Sequence, residues 1–151
     1  MKSRRIRRQQ LQENPHLIWN EFVDMLAISN PRKLSKKQLA AHLVFCYLSE
    51  VENGGHMQYF ENRGTNQLRA TIESLKLLGA RRHVRVLTRA AALFKSKPRA
   101  KIESVEEYVA KALEDEFEIM DSEYWESRPS LTEVLEAYLA SHQAEFILVV
   151  D

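Results

Sequence analysis

The fold of this chain is decided by residues 50–64, EVENGGHMQYFENRG, which contain three of its four glycines. Apolar residues recur at helical spacing on both sides of this stretch. Gly54 and Gly55 accept positive φ angles at little steric cost, so an incoming helix can end there and the chain can restart in a new direction. The stretch therefore predicts a hinge between a long helix and a short second helix, which ends at Gly64.

The polar residues of the hinge have two interpretations. Gln58 and Asn62 stand four apart on one helical face, where their amides can bond each other or the open backbone groups of the hinge. In the first interpretation the stretch is architectural and only turns the chain. In the second it forms a polar recognition pocket from Glu52, Asn53, Gly54, Gly55, Gln58, Asn62 and Gly64.

The segments on either side of the hinge predict an all-α domain of about seven helices. Helix starts are marked by a serine followed three residues later by Glu or Gln, the spacing of a capping box, at Ser35 with Gln38, Ser104 with Glu107 and Ser130 with Glu133. Apolar residues three or four apart follow each start. The helix from Ser104 is predicted to run unbroken to Tyr124, and only residues 146–150 could be a strand or a tail instead.

Length and composition are typical of one soluble globular domain. The chain has 151 residues, of which 44% are hydrophobic and 28% charged. We expect a mobile basic arm at residues 1–12 and a single helical domain at 13–151. The lone Cys46 cannot form an internal disulfide and suits the cytoplasm. No apolar run approaches the roughly 18 residues of a membrane helix.

Charge is segregated along the chain although the formal net charge is only +1. Residues 1–101 hold 20 Lys and Arg against 7 Asp and Glu, whereas residues 102–151 hold 2 against 14. Such segregation either neutralises itself across the folded domain or presents faces of opposite sign to partners.

The acidic residues gather on the predicted helix from Ser104. On a helical wheel, an arc of about 60° opposite the apolar stripe contains Glu103, Glu107, Glu114, Glu118 and Asp121. The line of charge would be about 25 Å long. It has three interpretations: a solvated face, a face that pairs internally with Arg81, Arg85 and Arg89, or a face that binds a basic protein surface. Glu116 falls on the apolar stripe, so we expect it to be partly buried and paired with a cation.

The basic residues support a converse hypothesis, direct contact with nucleic acid. Phosphate contacts require little more than clustered Arg and Lys. The candidates lie in the amino-terminal arm and in the basic region 81–101: Arg4, Arg5, Arg7, Arg8, Arg81, Arg85 and Arg89. No recognition-helix pattern or stacking platform accompanies them.

Signals of catalysis are poor. The sequence has no Gly-rich phosphate loop, no Gly-x-Ser-x-Gly and no His-Glu-x-x-His, and we expect no cofactor. One alternative is a metal-dependent enzyme at residues 52–61, because Glu52, His56 and Glu61 carry suitable ligand atoms. The glycines work against it, since they break the helix that would align Glu52 with His56.

Several motifs resemble the DNA-mimic-protein-like family of bacterial domains, over about residues 19–146. They are Glu52-Asn53-Gly54-Gly55, Gln58-Tyr59-Phe60, Asn62, Gly64, Leu78-Gly79-Ala80, Tyr124-Trp125, the run 131–138 and the run 142–146. The resemblance implies an all-helical fold. From the member that gives the family its label, it also implies an acidic surface that imitates DNA and occupies a transcription factor. This chain departs from a strongly acidic mimic in its net charge of +1.

These observations favour a non-enzymatic, cytoplasmic, protein-binding module. The expected partner is a protein, such as a nucleic-acid-binding transcription regulator or a toxin, and a second copy of the chain is a further candidate. The acidic residues are expected to form the binding surface, and the hypothesis of direct nucleic-acid binding stays open beside it.

Overall fold

The computed structural model describes residues 2–151 and confirms the all-α class. Its eight α-helices are α1 Arg8–Glu13, α2 Leu17–Ile28, α3 Lys36–Arg63, α4 Leu68–Leu77, α5 Arg81–Lys95, α6 Val105–Ala112, α7 Glu118–Glu126 and α8 Leu131–Phe146. A 3-10 turn, Pro31–Lys33, joins α2 to α3, and two short strands, β1 Arg4–Arg7 and β2 Ile147–Val150, lie at the ends of the chain. Within residues 2–151, no helix has the length and apolar character needed to span a bilayer.

The amino-terminal segment is folded against the domain and differs from the mobile arm that its basic sequence predicts. β1 pairs in parallel with β2, in a register that runs from Arg4 opposite Ile147 to Arg7 opposite Val150. Ile6 points into the core and is 5% exposed, while Arg4 Nη1 lies 2.6 Å from Glu21 Oε2. The apolar tail supplies backbone partners and the core supplies a site for Ile6, and neither is visible in residues 1–12 alone.

The predicted hinge is confirmed. α3 kinks where Gly54 has φ −157° and ψ 26° and Gly55 has φ 70° and ψ −174°. The second combination is in practice open only to glycine. Gly64 then ends the helix with φ 57°, and its N–H donates to Phe60 O at 2.7 Å. The capping box at Ser35 that begins α3 is also present.

The helix predicted to run unbroken from Ser104 to Tyr124 is wrong, and the 25 Å acidic line along it is wrong with it. α6 ends at Ala112, Asp115 has φ 49°, and α7 begins at Glu118. The break lets Phe117 enter the core while α6 stays on the surface with no buried residue. No glycine or proline marks this break, because Asp is one of the few other residues that adopt positive φ readily.

α3 lies at the centre of the domain and packs against α2, α4, α7 and α8. At the kink its core is aromatic. The Tyr47 ring is fully buried and meets Tyr59 and Tyr124 edge-on, with ring centroids 5.1 and 5.8 Å apart. Such edge-to-face pairs stabilise by about 0.5–1.5 kcal/mol beyond their area burial. The kink is therefore built into a buried aromatic part of the core.

The packing of β1 is tested by Ile6→Ala. We expect the free energy of unfolding to fall by about 2 kcal/mol, because a buried branched side chain leaves a cavity. Arg5→Ala is the matched control, since Arg5 is the exposed neighbour on the same strand. Urea unfolding followed by circular dichroism measures both, and equal stability of the two variants would show that β1 does not anchor the amino terminus.

Candidate functional site

A carboxylate clamp holds the two arms of the kinked helix α3 together. Glu50 Oε2 accepts hydrogen bonds from Gln58 Nε2 at 2.9 Å and Asn62 Nδ2 at 2.8 Å, and Glu50 Oε1 accepts one from Arg63 Nε at 2.9 Å. Burial would raise the pKa of Glu50, but these hydrogen bonds outweigh it and lower that pKa. Gln58 and Asn62, expected to bond each other or the backbone, bond Glu50 instead, and Asn53 donates to Gln58 Oε1 at 3.0 Å. Sequence reasoning missed Glu50.

A second set of hydrogen bonds ties the kink to α7. His56 is fully buried, and its backbone N–H donates to Asp121 Oδ1 at 2.9 Å. Its ring places Nδ1 2.5 Å from the same oxygen and Nε2 2.8 Å from the Tyr47 hydroxyl. Asp121, assigned from sequence to an acidic face, therefore belongs to the hinge.

Further polar groups lie beside this chain of hydrogen bonds. The Tyr124 hydroxyl donates to Glu52 Oε1 at 3.0 Å, and burial followed by the charge of Glu52 raises the Tyr124 pKa well above its usual range. The His83 ring packs edge-on against Tyr124 at 5.2 Å, and its Nε2 has no hydrogen-bond partner within residues 2–151. Burial lowers the pKa of His83 to about 4, so the ring is neutral at pH 7.

The proposed metal ligands do not converge. Glu52 accepts from Tyr124, His56 contacts Asp121 and Tyr47, and Glu61 is exposed. In the described part of the chain, no three His, Cys, Asp or Glu side chains are arranged to hold a metal ion. The structure therefore offers no ligand set for the metal-dependent alternative at residues 52–61.

A cleft of about 510 Å³ opens between the kink, the loop 97–102 and the α6–α7 junction. Two residues of the sequence-predicted pocket, Gly54 and Gly55, line it. Glu52, Asn53, Gln58, Asn62 and Gly64 do not. Its other lining residues come from all three segments: Met57, Glu61, Lys97, Pro98, Arg99, Ala100, Ile102, Lys111, Ala112, Asp115, Glu116, Phe117 and Asp121.

One wall of the cleft is an ion-pair cluster around Glu116. Arg99 Nη2 and Nη1 donate to its two carboxylate oxygens at 2.6 and 2.8 Å, and Lys97 Nζ lies at 3.2 Å. The guanidinium of Arg99 also sits over the Phe94 ring at 4.6 Å. The Glu116 side chain is 16% exposed, so its predicted burial and pairing are confirmed even though the helix breaks beside it. Hydrogen bonds from Arg99, then from Lys97, lower the pKa of Glu116 to about 2.

The remaining acidic candidates stay on the surface. Glu103, Glu107 and Glu118 are exposed and form no ion pair with residues 2–151. Glu114 has only Lys111, at 3.0 Å. Internal neutralisation by the basic helix α5 is therefore wrong for these residues.

The basic candidates are partly neutralised by other acids. Arg89 pairs with Glu123 at 2.5 Å, and Arg8 pairs with Asp151 at 2.9 Å. Arg4 forms an ion pair with Glu21. Four of the seven candidate arginines are exposed and form no ion pair within residues 2–151: Arg5, Arg7, Arg81 and Arg85.

Exposed apolar side chains accompany the acidic residues, which sequence reasoning missed. Val105 is 74% exposed and Leu113 79%, and Val109 and Ile119 are also exposed. The helical spacing of Val105 and Val109 had predicted burial, because one face of an amphipathic helix normally packs on the core. Together these residues define the α6 surface: Glu103, Val105, Glu107, Val109, Leu113, Glu114, Glu118 and Ile119.

Comparison with known proteins gives one result. A protein-family model described as DMP19-like protein matches residues 32–142, which is more than half of the chain. The matched range includes the kink, the cleft and the α6 surface. No curated protein and no solved structure matches the chain significantly.

The closeness of the kink to α7 is tested by Gly55→Ala. A Cβ on Gly55 would lie 3.0 Å from Asp121 Cγ and closer still to Oδ2, and φ is +70°. We expect a loss of about 1–3 kcal/mol in unfolding free energy. Gly79→Ala is the matched control, because Gly79 also has positive φ, +82°, but open space beside it. Equal losses in the two variants, measured by thermal melting, would show that the Asp121 contact adds nothing.

The Glu116 cluster is tested by measuring the stability of the protein as the pH is lowered. Its pKa is about 2 when folded against an ordinary value of 4.5, so its contribution to stability is complete above about pH 5 and is lost as the pH falls towards 2. Glu116→Gln should cost about 1–3 kcal/mol at pH 7, since it removes charge-assisted hydrogen bonds to Arg99. Its stability should then fall less steeply than that of the wild type between pH 5 and 2. Exposed Glu106→Gln is the control, and an unaltered acid profile in the Glu116 variant would contradict the assignment.

Proposed function

The chain belongs to the DMP19-like protein family, and we propose that it is a DNA-mimic-like protein that occupies a basic protein surface with its α6 surface. The observation that carries this proposal is the exposure of α6, in which every residue except the half-buried Tyr108 is exposed. Glu103, Glu107 and Glu118 form no ion pair within residues 2–151, and Val105 and Leu113 are exposed at the two ends of α6.

Physical chemistry favours a protein partner for such a surface. Exposed carboxylates steer a basic partner and select against acidic ones. The exposed apolar side chains of the same segment supply the water-excluding contacts that a protein interface needs at its centre. Val105, Val109 and Leu113 follow one another at intervals of four residues, so they lie along one side of α6, and exposed apolar stripes of this kind mark interaction sites.

Direct nucleic-acid binding is less well supported. Three of the seven candidate arginines, Arg4, Arg8 and Arg89, already bind carboxylates of the chain. Phosphate contact at those sites would have to displace an internal acid. The acidic α6 surface would also repel the same backbone.

The proposal is tested by reversing two exposed charges, Glu103→Lys with Glu118→Lys. Neither side chain bonds another described residue, so the fold should persist. The wild type immobilised on a support should capture from the source cell a DNA-binding protein, which then binds either DNA or this chain but not both. The double variant should bind that protein at least tenfold more weakly, about 1.4 kcal/mol, in 150 mM salt.

The matched control is Glu126→Lys with Glu136→Lys, an equal change of charge on α7 and α8, which should leave the affinity unchanged. Fluorescence anisotropy with duplex DNA gives the contrary outcome. Tight, salt-sensitive binding of DNA by this chain, lost in Arg5→Glu with Arg7→Glu, would overturn the proposal in favour of direct nucleic-acid contact. Charge reversal is used because deletion of the arm would also remove buried Ile6.

A further inference from the structure

We propose that the cleft at the kink receives an alkylguanidinium or alkylammonium group, with Asp121 as its counter-ion. Its source would be an arginine or lysine side chain of the basic partner. This inference rests on the proposed function and names the group that the partner contributes.

The cleft has the shape and lining of a receptor for such a side chain. Its volume, about 510 Å³, lies within the range of sites that bind small organic groups. Apolar side chains from three segments line it, from Met57 in α3 through Pro98 and Ile102 in the loop to Phe117 before α7. Long basic side chains lay their methylene stems along surfaces of this kind while the charged end seeks a polar group.

The Asp121 carboxylate is fixed in position by hydrogen bonds and can pair with the charged end. Its Oδ1 accepts from the His56 backbone N–H at 2.9 Å and lies 2.5 Å from His56 Nδ1, so the carboxylate cannot turn freely. Its Oδ2 accepts no hydrogen bond from residues 2–151, and the side chain is 33% exposed. Gly55 leaves the space beside Oδ2 open, because a Cβ there would collide with it. A fixed acceptor of this kind avoids part of the ordering cost of binding.

The charges around the cleft select a cation over an anion. Lys97 and Arg99 both bind Glu116, and Lys111 binds Glu114. These three cations face four lining carboxylates, Glu61, Asp115, Glu116 and Asp121, so the lining carries a formal net charge of −1 (3 − 4). Three lining carboxylates have no lysine or arginine partner within residues 2–151: Glu61, Asp115 and Asp121.

The cleft adjoins the α6 surface. Lys111 and Ala112 end α6 and line the cleft, while Leu113 and Glu114, the next two residues, belong to the α6 surface. A partner bound to that surface therefore lies within reach of the cleft. The cleft would add a directed, partly desolvated ion pair to a contact otherwise made by exposed charges, and such a pair discriminates between partners better than exposed charges do.

The test is a titration of the isotope-labelled wild-type chain with N-acetyl-arginine amide, followed by the backbone amide signals in NMR. We expect saturable shifts at Gly55, His56 and Asp121 with a Kd in the millimolar range. Asp121→Asn should weaken binding at least fivefold. Ala112→Trp fills the cleft and leaves Asp121 in place, so it should abolish binding. It also provides a second test in case Asp121→Asn does not fold. Glu136→Gln, on α8 and outside the cleft, should bind as the wild type does.

Other probes separate the alternatives. Inorganic phosphate that shifts the same signals, or no saturable shift with the arginine amide, would overturn the inference. If spermidine binds tenfold more tightly than the arginine amide, the inference that a side chain of the partner supplies the cation is wrong. If Asp121→Asn binds the captured protein as tightly as the wild type while Glu103→Lys with Glu118→Lys does not, the inference fails and the proposed function stands. If no partner is captured but the amide titration saturates, the proposed function fails and the assignment of the cleft to a guanidinium or ammonium group stands.

Discussion

The kink in α3 depends on a single carboxylate. A helix broken by two glycines has free backbone groups and no fixed angle of departure, since glycine loses more conformational freedom on folding than any other residue. Glu50 supplies the constraint by accepting hydrogen bonds from Gln58 and Asn62, both beyond the break, and from Arg63 at the end of the helix. Removing any one donor would leave a largely buried charge less well compensated, so the clamp works as a set.

The direction set by this clamp places His56 inside the core, and the rest of the candidate site follows. His56 meets Asp121 on one side and the Tyr47 hydroxyl on the other. α7 is thereby brought against the kink, and the α6–α7 junction closes over Gly55 to form the cleft. The hinge glycines are thus both architectural and part of a candidate binding site, because the residue that turns the chain is also the one that leaves space beside Asp121.

The segregation of charge along the sequence has two outcomes in the fold. Part of it is neutralised internally, through Arg99 and Lys97 on Glu116, Arg89 on Glu123 and the terminal pair of Arg8 with Asp151. The acidic residues around α6, Glu103, Glu107 and Glu118, form no ion pair within residues 2–151. The proposed function depends on these acidic residues, because a mimic of DNA has to present carboxylates where a duplex presents phosphates. A near-neutral chain can do so locally where its carboxylates gather, because 20 of its 22 lysines and arginines lie in residues 1–101.

The sequence by itself determined the features that depend on neighbouring residues. Helical periodicity, the caps at Ser35 and Ser130 and the break at Gly54 and Gly55 are local, so the all-α class and the hinge were predictable. The pairing of Glu116 was predictable too, because a carboxylate on an apolar stripe demands a partner wherever it lies. Only the tertiary structure decided the rest. The end of α6, the burial of Ile6 and the partners of Glu50, His56 and Asp121 depend on contacts between distant segments, and the gain from burying Phe117 outweighs the helical preference of residues 113–117 without leaving a local signal.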